Sequence, residues 1–182
     1  MSRSVPTLAG QKLATPPGFP ERGQDSAARR YLTSLIDGTE PLPRCLGALF
    51  LPVPSTSTWC YGRISAQLFL DDLLTLTPGV IFGGYITCLV DHFASLVMLT
   101  VVPDNALVLT AATDTAFHAP LTPGGVTVEA VVTKLSARRA LAEVAFDQGQ
   151  GIGSRGIAEQ IIKREAPSAR TPGSPRPGTR AD

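Results

Sequence analysis

Residues 83–102 form the feature that most constrains this chain: twenty residues, Gly83-Gly84-Tyr85 through Val101-Val102, with a single carboxylate, Asp91. Placed on a helix, Tyr85, Ile86, Leu89, Val90, Phe93, Leu96, Val97 and Met98 point in most directions, so the helix has to be buried on most of its sides. A largely apolar run of twenty residues also matches the thickness of a bilayer. Asp91 and His92 stand at the centre, however, where an acidic group alone costs roughly 2.5–3.5 kcal/mol on insertion. The segment therefore reads as the core helix of a globular domain and requires a partner that can wrap around it.

The flanking sequence supplies that partner by changing its period to two. Leu46–Leu51 is a short apolar run fit for a strand. Trp59–Leu70 alternates, as do Val126–Leu135 and Ala140–Phe146; Ala106–Phe117, rich in Val, Leu, Thr and Ala, is a further strand candidate, and Ile152–Ile162 closes the domain. Turn residues separate them: Pro123-Gly124-Gly125, Ser136–Arg139 and Asp147–Gly151. Upstream, Asp25-Ser26 can cap a helix that runs to about Ile36 and stops at Gly38. The expectation is an α+β fold, an antiparallel sheet of five to six strands wrapped around one long helix. Its divisions are a disordered segment over 1–24, a helix and linker over 25–44, the main domain over 45–164, and a disordered Pro/Gly/Ser/Arg tail over 165–182.

Composition narrows the function classes. A formal net charge of +1 argues against a broad nucleic-acid surface. Cys45, Cys60 and Cys88 lack metal-ligand spacing, so no metal or redox cofactor is expected, and the odd number reads as reduced thiols in the cytoplasm. Cys88 reads as an inert buried thiol. A mitochondrial address draws on the lack of acidic residues before Glu21, but four prolines in the first twenty residues spoil the amphipathic helix it needs.

The chemistry is concentrated in the apolar helix. Its first backbone N–H groups have no partner within the helix and favour negative charge, and glycine lets a ligand approach them closely. Burial disfavours the charged form of a carboxylate, the direction a general base needs. Gly83 and Asp91 are eight residues apart, about 12 Å along a helix axis, so they cannot serve one reacting carbon from one chain. Two helices antiparallel across a two-fold axis would bring Asp91 of one subunit to Gly83 of another, which requires at least a homodimer.

The motif Phe82-Gly83-Gly84 with Asp91, its Pro78-Gly79 lead-in, and the stretch from Thr110 to Pro120 ending in Phe117-His118-Ala119-Pro120 resemble the hot-dog fold thioesterases, in particular the PaaI-like branch that includes the thioesterase superfamily members. The resemblance covers roughly residues 45–163. That branch opens its central helix with His-Gly-Gly and carries an Asp nine residues after the His; here Phe82 stands in place of the His. The branch's Asn, about six residues earlier, falls on Leu76, with Thr75 and Thr77 beside it.

What the resemblance implies is hydrolysis of an acyl-CoA or acyl-carrier-protein thioester by a dimer or a dimer of dimers. Asp91 would be the general base, the Gly83 and Gly84 amides the oxyanion hole, and Thr110 the hydroxyl that orients water. Thr77, Phe82, Tyr85 and Ser95 would line the substrate site, with the acyl group near Phe82, Tyr85 and Trp59. Arg138, Arg139, Lys163 and Arg164 are the cations available to coenzyme A phosphates. Plainer readings stand beside these: Gly83-Gly84 as a close-packing device, Asp91 as a structural carboxylate bonded to an amide or to Ser95, Thr110 as an ordinary strand residue, and the arginines as a solvated turn. His92 points about 100° from Asp91 on a helix and reads as an interface or capped polar residue; His118 reads as exposed. Without the motif His, two other functions fit the same scaffold. One is an isomerase, dehydratase or cyclase acting on a thioester or polyketide-like substrate; the other is a non-catalytic acyl-binding protein.

Overall fold

Over residues 64–70, 126–132 and 140–146 the strands bury the face that their alternation marks. The computed structural model describes residues 13–39 and 57–164. The first helix, α1 (Ala27–Ile36), starts at Ser26, whose side chain accepts a hydrogen bond from the Arg29 amide, and is followed by Gly38 at a positive φ of 71°. The strands β1 (Thr58–Cys60) and β2 (Arg63–Leu70) come next, then a 3-10 turn (Asp72–Leu74) and two short strands, β3 (Thr75–Thr77) and β4 (Val80–Ile81). The long helix α2 (Gly83–Met98) precedes β5 (Ala106–Phe117), β6 (Gly124–Leu135), β7 (Arg139–Asp147) and β8 (Ile152–Arg164).

Six of the strands form one sheet in the order β1-β2-β6-β7-β8-β5, with every neighbouring pair antiparallel. The face turned to α2 carries Ile64, Ala66, Leu68 and Leu70 from β2, Val126, Val128, Ala130 and Val132 from β6, and Ala140, Ala142, Val144 and Phe146 from β7. Into it α2 packs Ile86, Leu89, Val90, Phe93 and Val97, all at most 1% exposed; full burial of one such side chain stabilises by roughly 1.5–3 kcal/mol. At Gly156 of β8 the helix touches backbone: a Cβ there would lie 2.5 Å from both Val90 methyl carbons. The expected fold, an antiparallel sheet wrapped around one central helix, is the one observed.

Four expectations need correction. Trp59–Leu70 is not one strand, because Tyr61-Gly62, with Gly62 at a φ of 74°, turns the chain between β1 and β2. The β3–β4 hairpin around Pro78-Gly79 was not foreseen. Residues 13–24, expected to be disordered, lie against the domain: Phe19 is 6% exposed, Thr15 bonds the Tyr61 hydroxyl, and Arg164 donates to the Pro17 carbonyl. Finally, Cys88 and Asp91, expected to be buried on α2, are exposed, although the helix is buried on most of its sides as expected. The expected Leu46–Leu51 strand, Cys45 and the tail over 165–182 lie outside the described residues.

Candidate active site

The start of α2 is fixed by its neighbours rather than by a side-chain cap. Phe82, the N-cap residue, makes no side-chain capping bond. Its amide donates to the Leu74 carbonyl at 2.8 Å, and the Ile81 amide donates to the Leu121 carbonyl at 2.8 Å. The Phe82 carbonyl accepts from Tyr85 and Ile86. Among the described residues the amides of Gly83 and Gly84 have no hydrogen-bond partner, which leaves the positive end of the helix dipole available to an anion. Two aromatic rings flank it. A Cβ on Gly84 would lie 2.5 Å from the Phe82 ring, and one on Gly83 would lie 3.2 Å from the ring of Phe117. These glycines make room for rings as well as for a ligand. Both rings stay half open to solvent, at 49% and 55%.

Two turns further on, Asp91 meets the sheet. The Thr110 hydroxyl donates to its Oδ1. Thr110 is aimed at the helix by its register opposite Gln160 of β8, just before a β-bulge between Thr110 and Ala112; bulges recur beside active sites because they re-aim side chains. Gln160 is fully buried, and its Nε2 and Oε1 lie 3.1 and 3.2 Å from the Thr110 hydroxyl. The chain Asp91–Thr110–Gln160 thus joins α2 to the interior of the sheet.

The structure brings some sequence-selected residues together and scatters others. Asp91 and Thr110 meet. Asp91 is exposed rather than buried, so the burial expected of it is absent within one chain. Cys88, expected to be buried, is exposed on α2 three residues before Asp91. Tyr85, one turn before Cys88, has its phenol pushed above its usual value of 10.0, by burial first and by Cys88 second. Ser95 is half-buried on α2, whereas Thr77 is exposed at the end of β3. His92 is buried, its ring 5.4 Å from that of Phe93 and edge-on to it; His118 is exposed.

Trp59 is not at the helix start. It lines a cavity of about 650 Å³ together with Arg22, Arg29 and Tyr61, which includes neither Phe82 nor Tyr85. Of the four cations considered for phosphates, Arg139 pairs with Glu159, and Arg164 is committed to the Pro17 carbonyl and the Phe19 ring. Arg138 and Lys163 remain in the same groove without an ion pair among the described residues. Gln160 was missed, although its place on the buried face of an alternating strand was a signal that could have found it. The described residues hold no cluster of His, Cys, Asp and Glu suited to a metal ion, and no helix long and apolar enough to cross a membrane.

Residues 78–153 match the model of the thioesterase superfamily, a span that includes the helix start, Asp91 and Thr110. Solved structures share the fold. A phenylacetic acid degradation-related protein from Ralstonia eutropha superposes with a TM-score of 0.62 at 16% identity, over 72% of this chain and 98% of its own. A thioesterase from Haemophilus influenzae gives 0.55 at 17%, over 59% and 76%. A hypothetical thioesterase from Streptococcus pneumoniae, solved with coenzyme A, gives 0.51 at 13%, over 58% and 81%. At these identities the likeness is one of fold. No curated protein sequence matches the chain.

Proposed function

We propose, from the premise that this chain is a hot-dog fold protein of the thioesterase family, that it hydrolyses an acyl thioester with Asp91 as general base. The observation that carries the reading is the exposed carboxylate of Asp91, the one charged side chain of α2 when His92 is neutral, held by the Thr110 hydroxyl.

In the proposed step, Asp91 removes a proton from water as the water oxygen bonds to the acyl carbon. The carbonyl oxygen becomes an oxyanion and accepts hydrogen bonds from the Gly83 and Gly84 amides of a second copy of the chain. Collapse of this intermediate breaks the C–S bond, and the thiolate leaves and takes up a proton. The second copy is required by the separation of Gly83 and Asp91 along α2. Phe82, Phe117 and Tyr85 would face the acyl group. Coenzyme A is the favoured carrier, supported by the Streptococcus relative and by Arg138 and Lys163, which remain for phosphates.

Release of free thiol from a panel of acyl-CoAs tests this. Asp91→Asn should lower kcat by about 10²–10⁴-fold with the fold intact; equal rates for the variant and the parent would remove Asp91 from the chemistry. A second reading has its own observation: aromatic rings, with no imidazole among them, flank the helix start. On that reading the protein binds a thioester and alters its acyl chain, or only holds it. Mass spectrometry showing an intact C–S bond and a changed acyl group would favour altered chemistry. Strong hydrolysis appearing only in Phe82→His would favour a binding protein.

A further inference from the structure

Gln160 is the largest polar side chain in the sheet interior, fully buried between Ala158 and Ile162 on the face of β8 turned to α2. Burial of a primary amide is unfavourable unless its hydrogen bonds are made. The side-chain partner it has is the Thr110 hydroxyl, with Nε2 at 3.1 Å. That hydroxyl has one proton to share between Asp91 Oδ1 and Gln160 Oε1, which lies 3.2 Å away; an ionised carboxylate can only accept and forms the shorter contact, so the proton is assigned to Asp91. Thr110 can therefore only accept from Gln160, which must present its NH2 group. Direction is thereby fixed along the whole chain: Gln160 donates to Thr110, and Thr110 donates to Asp91.

We infer that Gln160 is a positioning residue for the Asp91 carboxylate, acting through the Thr110 hydroxyl. The inference rests on the hydrolase reading for its catalytic meaning, but not for its geometry. Without Gln160, the Thr110 hydroxyl rotates among its staggered positions and an exposed Asp91 side chain samples several rotamers. With Gln160 donating, the hydroxyl proton is held on Oδ1, and Oδ2 stays open towards a water. Gln160 lies beyond the segment matched by the family model, which ends at residue 153.

A double-mutant cycle with Gln160→Met and Thr110→Val tests the connection. Gln160→Met is close in volume and cannot donate. It should lower kcat by about 3–10-fold with KM unchanged, Thr110→Val should lower it further, and the double variant should match Thr110→Val alone. If the two losses multiply, Gln160 acts independently of Thr110 and the inference is overturned. Thr110→Ser, which keeps the hydroxyl, should retain the effect of Gln160→Met. Should Gln160→Met fail to fold, Gln160→Leu takes its place in the cycle.

The carboxylate-carbon NMR signal of Asp91 gives a readout independent of turnover. Gln160→Met should move it in the parent and leave it unmoved in the Thr110→Val background; an equal displacement in both backgrounds overturns the inference. Full activity in Asp91→Asn would instead remove Asp91 as the base, whereas no thiol release from any acyl-CoA by the parent would sink the hydrolase reading; in either case the NMR cycle would still decide whether the three groups are linked.

Discussion

Contacts at Gly156 and Tyr85 make predictions that do not depend on catalysis. A methyl group at Gly156 would collide with Val90, whose branched side chain has little freedom to turn away in a helix. Gly156→Ala should therefore cost about 1–3 kcal/mol, read as a lower midpoint in chemical denaturation; an unchanged midpoint would mean that α2 and β8 can separate freely. Because the fold raises the Tyr85 phenol, it favours the neutral form. The resulting stability is fully present below the unfolded value of about 10 and is lost as pH rises through the folded one. Between pH 9 and about 12 the parent should lose more stability than Tyr85→Phe; parallel losses would contradict the assignment. These residues also show where sequence reading reached its limit. Asp91 stood out as the one acid of an apolar helix, and Thr110 only through the family resemblance. The exposure of Asp91 and Cys88 was not legible, because an apolar helix does not announce which strip the sheet leaves uncovered. Gln160 was hidden inside an ordinary alternation.

Helices and strands were easier to read than their junctions. The run 83–98 and the alternations over 126–135 and 140–146 follow from a strong local period, and the cap at Ser26 from its residue type. The β3–β4 hairpin escaped because Thr75-Leu76-Thr77 is too short to carry a period. The break after Cys60 escaped because one glycine inside an alternating run looks like strand. The attachment of α1 was also illegible, since it depends on a distant carbonyl. Arg29 donates through Nε to the Thr100 carbonyl at 2.9 Å and through Nη1 to the Glu21 and Gln24 carbonyls, while Leu32 and Leu35 are buried beneath it. Arg29→Ala strips those carbonyls of their donor and should cost about 2 kcal/mol or more. Limited proteolysis should then cut within residues 13–36 much faster than in the parent; unchanged cleavage would show that apolar contacts alone hold the helix.

Over the whole molecule the telling feature is β5, an edge strand of 12 residues exposed along most of its length, with Leu107, Leu109 and Phe117 among its exposed side chains. Long uncovered edges invite pairing with another chain, and a symmetric pair of β5 strands would also bring two α2 helices within reach of each other. Mixing makes the proposed composite site testable. Asp91→Asn and Gly84→Val dimers should each be nearly inactive. Their mixed dimer keeps one intact site, so a statistical mixture should regain about a quarter of parental activity. No recovery after verified subunit exchange would place both components of the site within one chain. Lysines at Leu109 and Ala112 should give a monomer that no longer turns over substrate.

A polypeptide that holds only half of the apparatus obeys mass action in a way that a self-sufficient one does not. Its specific activity should fall on dilution and return on concentration. The uncovered strand would then make protein abundance itself a control on the reaction, with no effector needed.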